Sequence, residues 1–507
     1  MEKKVYVIKI KKNECWYGGM AFYGKNMPFD KDTDFEFNFS VVDTDQSASF
    51  FISNQGRYVC FEPLSVKIRN GKIEIEYEKA PPVCLTVGET LKEVYLEVAE
   101  KYFAHEDKIP PKDVFIYPQF NDWMEVGYNQ NQADILAYAK DIKEQGYPYS
   151  VLMIDDKWSD YYGSFEFNKE RFPDAKAMLK ELNELGFKVM VWETPFVSPD
   201  SPEYRELSAQ GLLVKDENGE DAIRNWWNGY SAVMDLSNPA MIEWLDAKNQ
   251  KLFEMGIVGF KFDAGDRGYY KDGDKTYGNY NSVQQSNAYC EFGRKYPYCE
   301  FRSIINQSGT CGIWRQQDKR HTWGETGLRD TISSMLMQNL LGYWYAVPDM
   351  VGGGCIGSNK VIDEELVVRF AQASALMPMM QFSRLPYKIV NKEYNELCIK
   401  YAKLHTEMGE YIYQLAQETL TTREPIIRTL EYVFPNQGFE RNLNQFMLGD
   451  KYLVAPVIEK GVTKKVVRLP KGNSWKYIPT GKVYDGGDNI EVEAGIEILP
   501  YFERILL

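Results

Sequence analysis

Gly256-Ile257-Val258-Gly259-Phe260-Lys261-Phe262-Asp263-Ala264-Gly265-Asp266 is the stretch on which the fold turns. Its apolar run, rich in β-branched and aromatic residues, predicts a short buried strand ending on a carboxylate, with small residues after it that let the chain turn. Asp263 is thereby placed at a strand's C-terminal end. In parallel α/β folds that edge carries the ligand-binding loops. From this stretch alone, an Asp that merely caps the following helix fits as well.

Working outward, residues from about 112 to 415 alternate strand-like and helix-like patterns. The predicted strands are Val114-Phe115-Ile116-Tyr117, Ser150 to Ile154, Lys188 to Trp192, Val258 to Phe262, Glu300 to Ile304 and the run into Val347-Pro348-Asp349. Helical stretches fall between them, such as Ala133 to Gln145, Ala175 to Leu185 and Pro239 to Glu254. Such alternation predicts an α/β fold, a (β/α)8 TIM barrel, with a doubly wound sheet as the alternative. Several strands end in acids: Asp155-Asp156, Glu193, Asp263 and Asp349. Like charges crowded on one rim repel, so stability does not explain them.

On either side of this region the period changes to two. Phe35 to Ser40 and Lys72 to Tyr77 alternate apolar and polar residues, with Asn70-Gly71 as a turn, which predicts an N-terminal β-sandwich over residues 1–110. Ile109-Pro110-Pro111 reads as an extended joint rather than a helix. Phe446 to Asp450, Tyr452 to Val457 and Lys465 to Pro470 alternate again, which predicts a C-terminal β-sandwich over 416–507 after a catalytic domain over 111–415.

Composition removes several function classes. The formal charge of −14 disfavours nucleic acid and anionic membranes, which need clustered Lys and Arg, and suits a neutral substrate. No apolar run reaches the length of a membrane span, and the N-terminus lacks the apolar core of a signal peptide, so a cytoplasmic protein is expected. Eight scattered cysteines without a CxxC pair, and three histidines outside any metal-ligand spacing, predict neither metal nor disulfide framework. No cofactor is implied. Chemistry therefore falls to carboxylates, among a 14% complement of aromatic residues that serve either as core or as platforms for sugars.

These residues resemble glycoside hydrolase family 31 over nearly the whole chain from about residue 112. Phe260-Lys261-Phe262-Asp263-Ala264-Gly265-Asp266 is similar to the family's nucleophile motif, in the flavour of its α-xylosidase and α-galactosidase branches. Trp226-Trp227-Asn228-Gly229 with Asp235 and Asn238-Pro239 resembles the WWxG…DxxNP block, and Pro348-Asp349-Met350-Val351-Gly352-Gly353 the D-[IV]-G-G segment. Gln445 to Asp450 and Val454 to Val457 look like the C-terminal sandwich. Their shared order along one chain carries the resemblance.

The resemblance implies a retaining exo-α-glycosidase, which sets two carboxyl groups about 5 to 5.5 Å apart. Asp263 takes the nucleophile role. The family's W-[TG]-G-D acid motif is not intact, and Asp318, Glu325 and Asp330 compete in its place. Family members place the acid 16 positions after an Arg-Ser pair, and 318 − 302 = 16 from Arg302-Ser303, so Asp318 is preferred and Glu325 stands second. A Trp three residues before the acid is missing.

Arg302 is implied as a substrate ligand that keeps a carboxylate ionised, or else as a structural ion pair. Asp155 and Asp156 are implied to bind sugar hydroxyls, unless one is satisfied by local backbone; Trp158, Trp192, Trp226 and Trp227 to stack on the sugar or form walls, or else to be core; Lys261 to reach substrate or Asp263, or to pair with a rim acid; Asp349 to lend support; and Asp266 to be structural. Motif flavour favours an α-galactoside, with α-glucoside and α-xyloside as alternatives. A short N-terminal domain implies a missing subsite loop, or a partner copy in a homo-oligomer that supplies one. A sugar-binding protein on a decayed hydrolase is the alternative of another class, and a transglycosylase shares every residue named.

Overall fold

The computed structural model describes residues 3–40, 45–356 and 361–506; residues 1, 2, 41–44 and 507 of the two predicted end domains, and 357–360 of the predicted catalytic domain, lie outside them. The chain forms two compact units, one of Met1–Phe39, Gln46–Tyr117 and Asn306–Leu507, the other of Ser40–Asp45 and Pro118–Ile305.

The second unit holds five strands side by side and parallel: Gln119–Asn121, Val151–Ile154, Lys188–Glu193, Ile257–Phe262 and Tyr298–Phe301. Helices Gln132–Glu144, Ala175–Glu184, Pro239–Met255 and Ser282–Gly293 alternate with them, and each starts where the sequence supplies a cap. Asn131, Asp174, Asn238 and Asn281 each accept a first-turn backbone N–H, the bond an N-cap side chain is suited to make. Pro239 opens its helix at a position where a missing N–H costs nothing. Gly256, at φ +110°, closes that helix in the left-handed region and releases the chain into the strand Ile257–Phe262.

Register decides which strand-end groups meet. Trp192 lies beside Lys261, and Glu193 beside Phe262. Side chains alternate along a strand, so Trp192, Lys261 and the following Asp263 share one face while Glu193 and Phe262 share the other. On that second face Phe262 stacks on Phe301, ring centroids 5.1 Å apart.

In the first unit two antiparallel sheets come from the N-terminal residues. One has the order Lys4–Lys9, Lys72–Tyr77, Ser65–Arg69, Phe35–Asn38; the other is built on Gln46–Ser53 with Trp16–Met20, Arg57–Cys60 and Val83–Thr86. Phe37 bridges them, 5.2 Å from Phe51. Period-two reading overlooks the helix Leu91–Tyr102, whose capping box pairs Thr90 with Glu93. Val114 to Tyr117, predicted as a strand, is instead the helical turn Asp113–Ile116, which follows the non-helical Ile109-Pro110-Pro111. Tertiary packing overrides β propensity there: Phe115 sits against Tyr345 and Tyr413.

The same unit contains the parallel pair Ile313–Arg315 and Ala346–Val347, and helices Leu328–Leu340, Glu364–Ala375 and Lys392–Thr422. Ile313–Arg315 and Gln381–Phe382 are strands the periodicity does not reveal, because two or three residues carry no period. Likewise, Glu300 to Ile304 is not one strand, for Tyr298–Phe301 ends before Ile304–Ile305 begins. Beyond residue 426, a six-stranded and a two-stranded antiparallel sheet enclose Met447, Leu453, Val467, Trp475, Val492 and Phe502.

Gly259 marks the tightest approach in the opening stretch: a Cβ there would stand 1.9 Å from the carbonyl oxygen of Tyr298 on the neighbouring strand. Gly259→Ala is expected to destabilise the protein by about 1 to 3 kcal/mol through this overpacking. A urea unfolding midpoint equal to that of the parent would contradict it.

Candidate active site

Asp263 leaves the strand Ile257–Phe262 into two successive left-handed residues, Ala264 at φ +59° and Gly265 at φ +74°. A left-handed alanine is uncommon, and such strain gathers where a side chain must be aimed. Here it turns the backbone so that Ala264 N–H donates to Asp263 Oδ1 at 2.9 Å. Oδ2 accepts from Trp192 Nε1 at 3.0 Å, and Arg302 Nε lies 3.2 Å from Oδ1. Asp263 is therefore no helix cap but a carboxylate faced by two N–H donors and a guanidinium, an arrangement that favours its charged form.

Arg302 also pairs with the fully buried Asp266, and its guanidinium lies 4.8 Å from the Trp227 ring. Trp227 is 45% exposed, whereas Trp158, Trp192 and Trp226 are buried. The buried indoles are spent on fixed partners: Trp158 Nε1 donates to the Trp192 carbonyl at 2.8 Å, and Trp226 Nε1 to Ser231 Oγ at 3.0 Å. Only Trp227 of the four keeps a broad open surface.

Lys261 pairs with the rim acid Asp155, Nζ to Oδ2 2.6 Å, and Asn121 Nδ2 donates to the same oxygen at 2.6 Å. Asp156 repeats the device seen at Asp263, since left-handed Lys157 (φ +74°) donates its N–H to Asp156 Oδ1 at 2.7 Å. Asn228 Nδ2 donates to Oδ2 at 2.7 Å, and the Tyr162 hydroxyl to Oδ1 at 3.1 Å. Burial pushes the Asp156 carboxyl up to about 6. Asp156, Trp158, Trp192 and Tyr162 line one pocket.

Glu193, expected among the rim acids, lines the same pocket but does not bring its carboxyl to them. It lies on the opposite strand face, where Asn249 Nδ2 approaches it at 3.4 Å, and burial pushes its carboxyl up to about 8.

In the first unit, the three competing carboxylates separate by environment. Asp330 is buried in an ion pair with Lys319, 2.8 Å. Glu325 is exposed. Asp318 is half exposed, with Arg315 Nη1 2.6 Å from its Oδ1. Arg315 occupies the position of the missing Trp. Asp349 is fully buried and accepts from the backbone N–H groups of Lys319 and Gly354. These bonds tie its carboxylate to the backbone of the loop that carries Asp318.

Sequence reasoning left Asn121, Asn228, Arg315 and Gly354 without roles. Asn228 stands inside the quoted WWxG block and Arg315 three residues before Asp318, where the Trp is missing, so their polar character there was the signal; Asn121 and Gly354 act through contacts that spacing does not reveal. Among the described residues no group of three or more His, Cys, Asp or Glu is arranged to hold a metal ion, and no helix is long and apolar enough to cross a membrane.

The glycosyl hydrolases family 31 TIM-barrel domain matches residues 109–415, and the family 31 C-terminal domain matches 423–505. Myogenesis-regulating glycosidase of Mus musculus is 30% identical over 413 residues, 79% of this chain and 57% of that protein. Alpha-glucosidase 2 of Bacillus thermoamyloliquefaciens is 26% identical over 415 residues, 74% of this chain and 52% of the relative. The chain thus spans little more than half the length of these curated relatives. A Flavobacterium johnsoniae GH31 dextranase complexed with glucose superposes with a TM-score of 0.86 at 22% identity, over 99% of this chain and 66% of the other, a likeness of fold. The fold is accordingly α/β, a TIM barrel with sheet domains before and after it in sequence.

Glu193 yields a stability prediction. Its folded pKa is raised above the ordinary value of 4.5, so its contribution is fully present below about 4.5 and is lost as pH rises through about 8. Glu193→Gln, which cannot ionise, is expected to gain roughly 1 to 3 kcal/mol on the parent between pH 5 and 9. Thermal melts whose difference stays constant over that range would contradict it.

Proposed function

The chain belongs to glycoside hydrolase family 31, and on that premise we propose that it is a retaining exo-α-glycosidase acting on terminal α-linked sugars. The observation that carries the proposal is the hold on Asp263: a carboxylate at a strand's C-terminal end, aimed by a strained turn and faced by Trp192 and Arg302. In the proposed cycle Asp263 attacks the anomeric carbon while Asp318 protonates the departing glycosidic oxygen. Asp318 then takes a proton from the water that breaks the glycosyl-Asp263 bond. No metal or cofactor enters the scheme.

Asp155, Asp156, Lys261 and Arg302 are proposed as the polar contacts of the bound sugar, with Trp227 as the ring that meets it or its leaving group and Trp158 and Trp192 as the fixed wall. Asp349 supports the Asp318 loop. The contact of Asp318 with the buried Arg315 favours it over the exposed Glu325, and its exposure favours it over Asp330, which is consumed by Lys319. Motif flavour around Asp155-Asp156-Lys157-Trp158 supports an α-galactoside. An α-glucoside or α-xyloside is the second reading, favoured by relatives named alpha-glucosidase and alpha-xylosidase. A cytoplasmic site of action belongs to the same proposal, supported by eight free cysteines.

A panel of nitrophenyl α-glycosides identifies the sugar, and product analysis separates hydrolysis from transglycosylation. Calorimetric sugar binding without turnover on any of them would favour the decayed binding protein instead. On the substrate so found, Asp263→Asn is expected to lose about 10³-fold or more in kcat. Near-parental turnover would remove the nucleophile assignment. Asp318→Ala should recover activity with azide, and an unimpaired Asp318 variant would move the acid role to Glu325.

A further inference from the structure

Arg315 stands between two carboxyl groups, and only one of them is in direct contact with it. Its Nη1 lies 2.6 Å from Asp318 Oδ1 and 4.0 Å from Asp349 Oδ1, while also donating to the Gln316 carbonyl at 3.0 Å. The guanidinium is buried, with 3% of its side chain exposed, whereas 51% of the Asp318 side chain is open. Asp349 cannot move to meet the arginine, because its Oδ2 is pinned by the N–H groups of Lys319 and Gly354. A side chain at Gly354 is excluded as well: a Cβ there would lie 2.8 Å from Asp349 Oδ1 and 3.2 Å from the Asp318 Cβ. One fixed buried cation therefore faces one fixed buried acid and one acid with room to turn.

We propose that Arg315 is a positioning residue that hands its charge between Asp318 and Asp349 as Asp318 loses and regains its proton. This rests on the acid/base role proposed for Asp318. While Asp318 holds its proton, Asp349 balances the guanidinium. When the proton passes to the leaving oxygen and the C–O bond breaks, the new Asp318 carboxylate takes over the pairing, and the proton later drawn from water returns the charge to Asp349. A buried arginine left without any anion is costly, so the two acids keep it compensated in both halves of the cycle. Burial, and then the charge of Asp318, push the Asp349 carboxyl up to about 6; Asp349 keeps its carboxylate at neutral pH through both halves, so only the pairing of the guanidinium moves and no second proton is needed. Ionisable neighbours among the described residues include Arg320, Lys319 in its ion pair with Asp330, and the Cys355 thiol, which burial pushes up to about 11 and so keeps neutral.

The handover predicts opposite responses to removing the cation and the fixed anion. With aryl α-glycosides of graded phenol acidity, bearing the sugar that the nitrophenyl panel identifies, Arg315→Met is expected to lose about 10- to 100-fold in kcat on the poorest leaving groups and little on the best. Its alkaline limb of kcat/KM should move to higher pH, and that of Asp349→Asn to lower pH. Arg315→Lys should recover part of the loss, and thermal melts check that each variant is folded. Profiles of both variants coinciding with the parent, or shifting the same way, would overturn the handover. Asp318→Asn measured in the same series separates the two levels: if it lacks leaving-group dependence, the acid assignment itself has failed, whereas dependence there without the opposite shifts refutes only the role of Arg315.

Discussion

Asp263 and Asp266 share the guanidinium of Arg302, and the surroundings of all three follow from holding that charged trio mostly out of water. Removing an ion from water costs several kcal/mol unless pairing and hydrogen bonds compensate it. Asp266, fully buried, ties Arg302 down, so that the arginine lies against Asp263 without having to be recruited. Trp227 covers the guanidinium with its ring face, and Trp192 gives its indole N–H to the carboxylate. The Asp expected to be structural is thus what fixes the arginine that faces the other.

The same logic recurs along the parallel strands. Asp155 is balanced by Lys261 and Asn121, and Asp156 by Asn228, Tyr162 and the N–H of left-handed Lys157. Each acid meets donors supplied by a different strand end or loop, which only a parallel arrangement with its C-terminal edges aligned brings together. Glu193 shows the converse. One residue further along its strand than Trp192, it faces the helices and is kept neutral by burial. In the other unit, Arg315 pairs directly with Asp318, while Asp349, 4.0 Å from Arg315, holds the backbone of the same loop through Lys319 N–H.

Where the sequence is periodic over several residues, its reading and the structure agree: the strands ending at Ile154, Glu193 and Phe262 and the helices between them lie within a residue or two of expectation. Agreement fails where segments are too short to show a period, as at Ile313–Arg315, or where packing outweighs propensity, as at Phe115. Within the candidate site, the acids themselves were legible because carboxylates at strand ends have few structural uses. Their partners were less so. That Lys261 would choose Asp155 depends on a register between strands more than 100 positions apart in the chain, and the division of labour among four tryptophans depends on where each indole N–H finds an acceptor.

The central claim is that Asp263 becomes covalently bonded to the sugar. A fluorinated α-glycosyl fluoride that reacts fast and hydrolyses slowly tests it directly, read by intact mass and then by mass spectrometry of the digested protein. One sugar residue on the peptide that contains Asp263, absent from the Asp263→Asn variant, is the result predicted. A label on any other carboxylate, or continued turnover with no labelled protein, would contradict it.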